Sequence, residues 1–218
     1  MTSRSYRQHC GVAEALDVLG ERWTLLILRD LLPGPQRFTD LARRQPGMGT
    51  DLLTSRLRRL EEHDLVERVP LPAPANGSMY QLTERGDDVR PVLAALARLG
   101  ATWLPTTPTG RRRYDASWAL TTIAEHLGDR APTALGLTVT CDGHHHSLVV
   151  ADDGTTSSVY GDLLDPAVRI EGPTRNILAV LFGRVARSEE PDVQITGDDA
   201  DIDAWLDAIA HAVPFATR

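Results

Sequence analysis

The segment from Gly47 to Val69, GMGTDLLTSRLRRLEEHDLVERV, constrains the fold of this chain more than any other segment. At about 100° per residue of helix, Leu53, Leu57 and Leu60 project within about 60° of one another. Such a narrow apolar stripe predicts a helix with one face in a core. The opposite face is polar, with Thr54 at its margin, and carries Asp51, Ser55, Arg58, Arg59 and Glu62.

A shorter helix is predicted directly before this one. The run RFTDLARRQPG begins a helix near Phe38–Thr39 and ends it at Pro46–Gly47, and Gly49 or Thr50 is placed to cap the next helix. Two helices joined by the tight turn QPGMG predict a helix-turn-helix. Arginine and hydroxyl side chains on the outward face can bond to guanine edges or phosphates. The predicted DNA contacts are Arg37, Thr50, Asp51, Thr54, Ser55, Arg58, Arg59 and Arg68.

The flanking sequence completes a winged helix. The run CGVAEALDVLGERWTLLILRDLLPG predicts two helices separated at Gly20 and ended by Pro33–Gly34. LVERVPL and SMYQLT read as two strands, with the turn pair Asn76–Gly77 in the segment PAPANG between them. One further helix is expected over ERGDDVRPVLAALARLGATWL. The predicted hairpin after the helix-turn-helix is the wing.

Charge divides the chain into two modules. The 218 residues carry a net charge of −7, yet up to Gly110 there are 14 arginines against 13 acidic residues, and from Arg111 onward 9 against 17. The Pro-, Thr- and Gly-containing run LPTTPTGRRR lies at the division, so we expect domains over 1–104 and 114–218 joined by a linker over 105–113. The negative net charge of the chain does not exclude DNA binding, because the affinity depends on the local electrostatic field at the phosphates.

Several classes of protein are disfavoured. No run of eighteen apolar residues is present and the N-terminus MTSRSYRQHC lacks an apolar signal core, so a cytoplasmic location is expected. Two cysteines are too few for a disulfide framework. No HExxH, CxxC, Ser-His-Asp order or glycine-rich phosphate loop appears, so we expect no enzyme activity and no cofactor.

The second module alternates helix and strand signals. A helix is predicted over SWALTTIAEHLGDRAP, strands over LGLTVTC, SLVVAD, TTSSVYGD, AVRIEG and DVQITGD, and helices over PTRNILAVLFGR and DADIDAWLDAIAHAV. The whole chain is therefore predicted to be α+β, with an N-terminal winged helix-turn-helix followed by a C-terminal α/β sheet domain of about five strands covered by helices. The run DGHHH is predicted as a hairpin-like turn, and its consecutive histidines favour a surface turn over a metal site.

Cys10 leaves two interpretations open. Arg7 and His9 are close in sequence and a helix begins here, so positive neighbours favour a reactive thiolate. The alternative is a small buried apolar residue.

The motifs of the first module together resemble the HxlR-type transcriptional regulators. The resemblance runs over about residues 8–104 through CGVAEALDVLGERWTLLILRDLL, GPQRFTDL, LLTSRLRRLEEHDLVER and YQLTERG, although Gly11 replaces the usual proline and the segment NGSMY lacks a charge. It implies a DNA-binding homodimer that pairs through its first and last helices, about Val12–Leu19 and Gly86–Leu104. Some members of the family sense oxidants through a cysteine at the position of Cys10.

The segment DPAVRIEGPTRNILAVLFGR followed by VQITGD resembles the sterol-carrier-protein-type lipid-binding fold over about residues 115–215. The resemblance implies an apolar cavity for a small hydrophobic effector, with ordinary core packing as the alternative. The expected lining is Trp118, Leu137, Val139, Leu148, Val150, Arg175, Leu178, Leu181 and Phe182. We therefore expect a regulator, and the rival interpretations are a hydrophobic-ligand carrier whose first module only dimerises, and a cysteine-based redox sensor.

Overall fold

The computed structural model describes residues 5–71, 73–103, 113–132 and 136–212, apart from the side chain of Asp129. These residues form two compact units, Met1–Leu93 and Ala94–Arg218. Apart from Arg113, the predicted linker over 105–113 lies outside the described residues, so the predicted domain bounds stay a prediction.

The first unit contains a helix-turn-helix and a small antiparallel sheet. Its helices are α1 (Gly11–Leu19), α2 (Thr24–Leu31), α3 (Phe38–Arg44), α4 (Thr50–Glu62) and α5 (Glu84–Asp87), and α6 (Arg90–Ala101) continues across the division between the units. Its strands are β1 (Gln36–Arg37), β2 (Val66–Pro70) and β3 (Ser78–Leu82), in the order β1-β3-β2. The sequence patterns did not predict β1, which is too short to show a period.

The core of this unit is built on the predicted leucine stripe. Leu53, Leu57 and Leu60 are at most 1% exposed. They pack with buried residues of α2, α3, β2 and the segments before α4 and α6, namely Ile27, Leu28, Leu31, Leu41, Met48, Val66 and Val89. Burial of this one face fixes which side of α4 is free to contact a partner.

The single helix expected after β3 is two helices. The Thr83 hydroxyl caps α5 by accepting a hydrogen bond from the amide of Gly86. Pro91 has no amide hydrogen, and its ring would clash with the carbonyl four residues earlier, at Asp87. The helix therefore stops at Asp87 and restarts at Arg90.

The second unit is a five-stranded mixed sheet with helices packed on it. Its elements are α7 (Ala116–Leu127), β4 (Leu137–Cys141), β5 (His144–Val150), β6 (Thr156–Tyr160), β7 (Val168–Glu171), α8 (Thr174–Leu181), β8 (Gln194–Gly197) and α9 (Asp199–Ala212). The strand order is β6-β5-β4-β7-β8, and β4 pairs with β7 in parallel while the other pairs are antiparallel. The expectation of about five strands with helices is thus met, and Leu135 of the first predicted strand lies outside the described residues.

Residues on alternate positions of β4 separate an apolar face from a polar face. Leu137, Val139 and Cys141 are buried in a core shared with α7, α8 and α9, whose largest side chain is the fully buried Trp205. Thr138 lies on the other face and its hydroxyl is 2.9 Å from that of Ser147 on β5. The helices therefore pack on one face of the sheet, as strand alternation requires.

The hairpin between β4 and β5 is tighter than expected. Asp142 and Gly143 have φ values of 50° and 78°, the conformation of a two-residue turn that continues the twist of both strands. The histidine run consequently belongs to β5 and not to the turn, and His146 is only 5% exposed. In the described part of the chain, no helix is long and apolar enough to cross a membrane.

Candidate nucleic-acid interface

The turn between α3 and α4 is anchored to the helix behind it. Gln45 at the end of α3 is buried, and its Nε2 donates a hydrogen bond of 2.6 Å to Oδ2 of Asp30 on α2. Asp30 is fully buried and forms an ion pair of 3.0 Å with Arg29. A buried carboxylate held by both neighbours fixes where the turn leaves α3. The hydrogen bond between Gln45 and Asp30 therefore holds the turn before α4 against α2.

The outward face of α4 carries five of the predicted DNA contacts. Thr50, Asp51, Thr54, Ser55 and Arg58 are all exposed. The hydroxyl of Thr54 donates to the Thr50 carbonyl at 2.9 Å, which leaves its oxygen lone pairs toward solvent. The side of α4 opposite the leucine stripe is therefore available for base and phosphate bonds.

Arg59, which the helical projection grouped with Arg58, is directed elsewhere. Its guanidinium donates to the carbonyl of Asp17 at the end of α1 and lies 3.5 Å from Glu21. The Arg59 side chain is 22% exposed. Arg58 and Arg59 are about 100° apart around the helix, and that angle places them on different flanks of α4. The assignment of Arg59 to DNA stays a prediction, but the structure gives its charge a partner within the chain.

Arg56 is a further functional candidate that sequence reasoning missed. Its Nη2 lies 2.5 Å from Oε2 of Glu21, and its Nε donates to the carbonyl of Arg22 at 3.3 Å. Position 56 projects about 60° from the leucine stripe, which marks a helix flank but does not identify its partner. The partners lie 34 and 35 positions earlier in the sequence, and no local period reports such a contact.

The wing holds another predicted contact. Arg68 on β2 is exposed, and its guanidinium donates to the hydroxyl of Ser78 at 2.7 Å and lies 5.6 Å from the ring centre of Tyr80. Both partners are on the paired strand β3. The stacking and the hydrogen bond hold the charge on the wing surface, where it can meet a phosphate. Arg37 on β1, which pairs with β3, is exposed as well.

Cys10 lies outside this surface, at the start of α1. It is exposed and occupies the position before the first helical residue. The backbone amides of Ala13 and Val12 lower the pKa of the Cys10 thiol, because free amides at a helix start stabilise the thiolate. The prediction of a buried apolar residue is therefore wrong for this thiol, and the reactive alternative stays a prediction.

The residues predicted to line an apolar cavity all lie in the second unit, and most belong to its core. Leu137, Val139 and Leu148 are fully buried, and Leu181 is 1% exposed. Four others are half-buried, namely Trp118, Val150, Leu178 and Phe182, and Arg175 near the start of α8 is exposed. The structure thus brings the apolar members other than Trp118 into or against the core on the helix-covered side of the sheet, and leaves Arg175 at the surface.

No group of three or more His, Cys, Asp or Glu side chains within the described ranges is arranged to hold a metal ion. His145 and His146 point to opposite faces of β5, with His145 bonded to Thr140 at 3.0 Å and His146 against the ring of Tyr160.

Comparison with known proteins identifies the family to which the first unit is similar. Residues 18–108 match the model of the HxlR-like helix-turn-helix family. The chain is 39% identical over 95 residues to the HTH-type transcriptional regulator sll1512 of Synechocystis, covering 44% of this chain and 70% of that protein. It is 44% identical over 94 residues to the HTH-type transcriptional regulator Rv3095 of Mycobacterium tuberculosis, and spans 59% of that relative's length. The solved structure of the reduced form of the transcriptional regulator YodB from B. subtilis is 30% identical over 46% of this chain and all of its own, with a TM-score of 0.40.

Proposed function

Because the chain belongs to the HxlR-like helix-turn-helix family and is a transcriptional regulator of that type, we propose that it binds an operator as a homodimer and represses transcription by occupying it. The exposed polar face of α4, opposite a buried leucine stripe, is the observation that carries the proposal. Arg58 donates to a base edge or a phosphate, and the hydroxyls of Thr54 and Ser55 add bonds to either. Arg37 and Arg68 meet phosphates beside it. The regulator acts in the cytoplasm, where the DNA is.

The proposed dimer pairs through α1 and α6. Val12 and Leu16, one turn apart on α1, are 69% and 43% exposed. Val92, Leu96 and Leu99 follow helical spacing on α6 and are exposed as well. Apolar stripes of this kind on a monomer are typical of an association surface, and a homodimer matches the two half-sites of an operator.

The test is binding of the full chain to the DNA upstream of its own gene, measured by fluorescence anisotropy against a shuffled duplex of equal composition. Arg58→Ala is expected to weaken binding to the upstream duplex by roughly 1–3 kcal/mol. Arg184→Ala, which removes one exposed charge from the second unit, is the matched control and should leave affinity unchanged. Equal affinity for the upstream and shuffled duplexes at moderate salt would contradict the proposal and favour the ligand carrier.

We propose, as a second and separate property, that the second unit binds a small hydrophobic effector. The support is the resemblance of this segment to sterol-carrier-type domains and the half-buried Val150, Leu178 and Phe182 beside the helix-covered core. Arg175 at the start of α8 would bond an acidic or polar group of the effector. The effector changes DNA affinity only by as much as it prefers one arrangement of the protein over another.

Redox control through Cys10 is an alternative regulatory input, favoured by the exposure of the thiol and its lowered pKa. A peroxide would oxidise the thiolate to a sulfenic acid with release of hydroxide, and excess thiol would reduce it again. Mild peroxide should then weaken DNA binding reversibly in the parent chain and have no effect on Cys10→Ser. An equal response of both proteins would eliminate this cysteine as the sensor.

A further inference from the structure

Residues Gly20–Trp23, which we call the joint, connect α1 to α2 and are held in an unusual conformation. A Cβ atom on Gly20 would lie 2.5 Å from the Leu16 carbonyl oxygen, so only glycine fits this approach to α1. Trp23 has a φ of 80°, a left-handed conformation that is rare for a bulky side chain. Such a backbone persists only where its surroundings over-determine it.

The surroundings that hold the joint are the elements of the helix-turn-helix. Arg56 of α4 pairs with Glu21 at 2.5 Å and donates to the Arg22 carbonyl at 3.3 Å. Arg59, one turn further along α4, lies 3.5 Å from the same Glu21 carboxylate and donates to the Asp17 carbonyl of α1.

A second contact is made at the other end of α4. The ring of Trp23 packs over Gly47 in the turn that precedes α4, and a Cβ atom at Gly47 would lie 3.1 Å from that ring. The joint therefore touches the helix-turn-helix at two separated points, the turn before α4 and the flank of α4 at Arg56. Two separated contacts fix the direction of the α4 axis, whereas a single contact would allow α4 to rotate about that contact.

These polar contacts supply a constraint that the leucine stripe lacks. An apolar stripe holds α4 against the core, but dispersion contacts are non-directional and tolerate small rotations about the stripe. A guanidinium donates along fixed directions, so the pairing of Arg56 and Arg59 with Glu21 sets the rotation of α4 relative to α1.

We propose that Glu21, Arg56 and Arg59 are positioning residues that fix the recognition helix relative to the dimerising helix α1, and thereby select the spacing between operator half-sites. The inference rests on the proposed function, in which α1 pairs with its copy and α4 enters the major groove. Two recognition helices must lie about 34 Å apart to meet successive grooves, so a change in the angle between α1 and α4 changes the preferred spacing.

The experiment is enrichment from a random duplex library by the full chain, followed by sequencing of the bound DNA. The parent is expected to enrich paired half-sites at one spacing. Arg56→Met, which keeps the length of the side chain but removes its charge, should broaden that distribution by a base pair or more and weaken binding about tenfold at the parent spacing. Glu21→Gln is a milder variant that should shift the distribution in the same direction, and Arg56→Lys should restore most of the parent preference.

Arg58→Met is the matched control, because Arg58 is on the same helix but points outward. It should weaken binding at every spacing by a similar factor. Folding of each variant is checked by its thermal transition.

Enrichment by Arg56→Met and Glu21→Gln of the same single spacing as the parent, with affinity lowered evenly, would overturn the inference alone. A parent chain that enriches no sequence would overturn the proposed function and the inference with it.

Discussion

At the residue scale, neighbouring arginines of one helix have different environments. Arg58 is exposed on the outward face of α4, whereas Arg56 and Arg59 contact the joint through Glu21. From the amino-acid composition alone, all three arginines would count as positive charge available to DNA. Of the three arginines of α4, Arg58 alone is exposed, so substitution of each residue should have a distinct consequence.

Leu57 and Ser55 provide a matched pair for testing the faces of α4. Leu57 is 1% exposed, so Leu57→Ala removes buried methyl groups and leaves a cavity, which should lower the free energy of unfolding by roughly 2–5 kcal/mol. Ser55→Ala, on the exposed face, should change it by less than about 0.5 kcal/mol. Urea denaturation followed by circular dichroism measures both. Similar effects of the two substitutions would mean that the buried face of α4 is wrongly assigned.

The two cysteines should differ in reactivity with pH. Amides at the start of α1 lower the pKa of Cys10, whereas burial raises the pKa of Cys141. A lowered pKa means that the thiolate is already present at a pH where an ordinary thiol, with a pKa of about 8.5, is still protonated. Alkylation of Cys10 by iodoacetamide should therefore rise and level off at lower pH than alkylation of Cys141.

Cys141→Ser and Cys10→Ser, each retaining one thiol, separate the two rates by mass spectrometry. Equal pH profiles would show that neither the start of α1 nor the second core perturbs its thiol.

At the scale of elements, close backbone contacts decide where α5 packs. A Cβ atom on Gly86 would lie 1.9 Å from the carbonyl oxygen of Leu65, the last residue before β2. The carbonyl belongs to the backbone and cannot rotate away as a side chain can. The glycine therefore sets how closely α5 approaches the strand that begins the wing.

Gly86→Ala should force this contact apart and destabilise the first unit by about 1–3 kcal/mol or more, as overpacking does. Gly100→Ala is the control, because a Cβ atom there meets nothing within 4 Å and alanine favours a helix. Thermal unfolding of both variants provides the comparison. Unchanged stability in Gly86→Ala would show that α5 is less closely packed than the structure indicates.

At the scale of the molecule, the hydrophobic residues form separate cores. One cluster is built from α2, α3, α4 and Val89, and the other from residues between Ala116 and Ala212. A unit with its own core can fold alone. The helix α6 begins in the first unit and continues into the second, so any division of the chain must leave it whole.

Deletion of residues 114–218 should leave a folded dimer that still binds the proposed operator and no longer responds to the proposed hydrophobic effector. The remaining segment retains the first core and all of α6. Circular dichroism, sedimentation and anisotropy with the upstream duplex measure folding, assembly and binding. An unfolded truncation would show that the second unit completes the first core, and a truncation still released by the effector would place the effector site in the first unit.

The sequence by itself determined the helix-turn-helix, the wing strands and the outward face of α4, because each depends on local periods and on turn residues close together in the chain. It also predicted a sheet of about five strands in the second unit from their alternation. The tertiary structure decided the features that depend on contacts between residues far apart in the sequence. The partners of Arg56 and Arg59 lie more than thirty positions away in sequence. The break before α6 depends on the steric conflict at Pro91. The histidines belong to β5 because a two-residue turn fits the twist of β4 and β5. Long-range contacts leave no period in the sequence, so only the folded chain shows that Arg58 is exposed while Arg56 and Arg59 pair with Glu21.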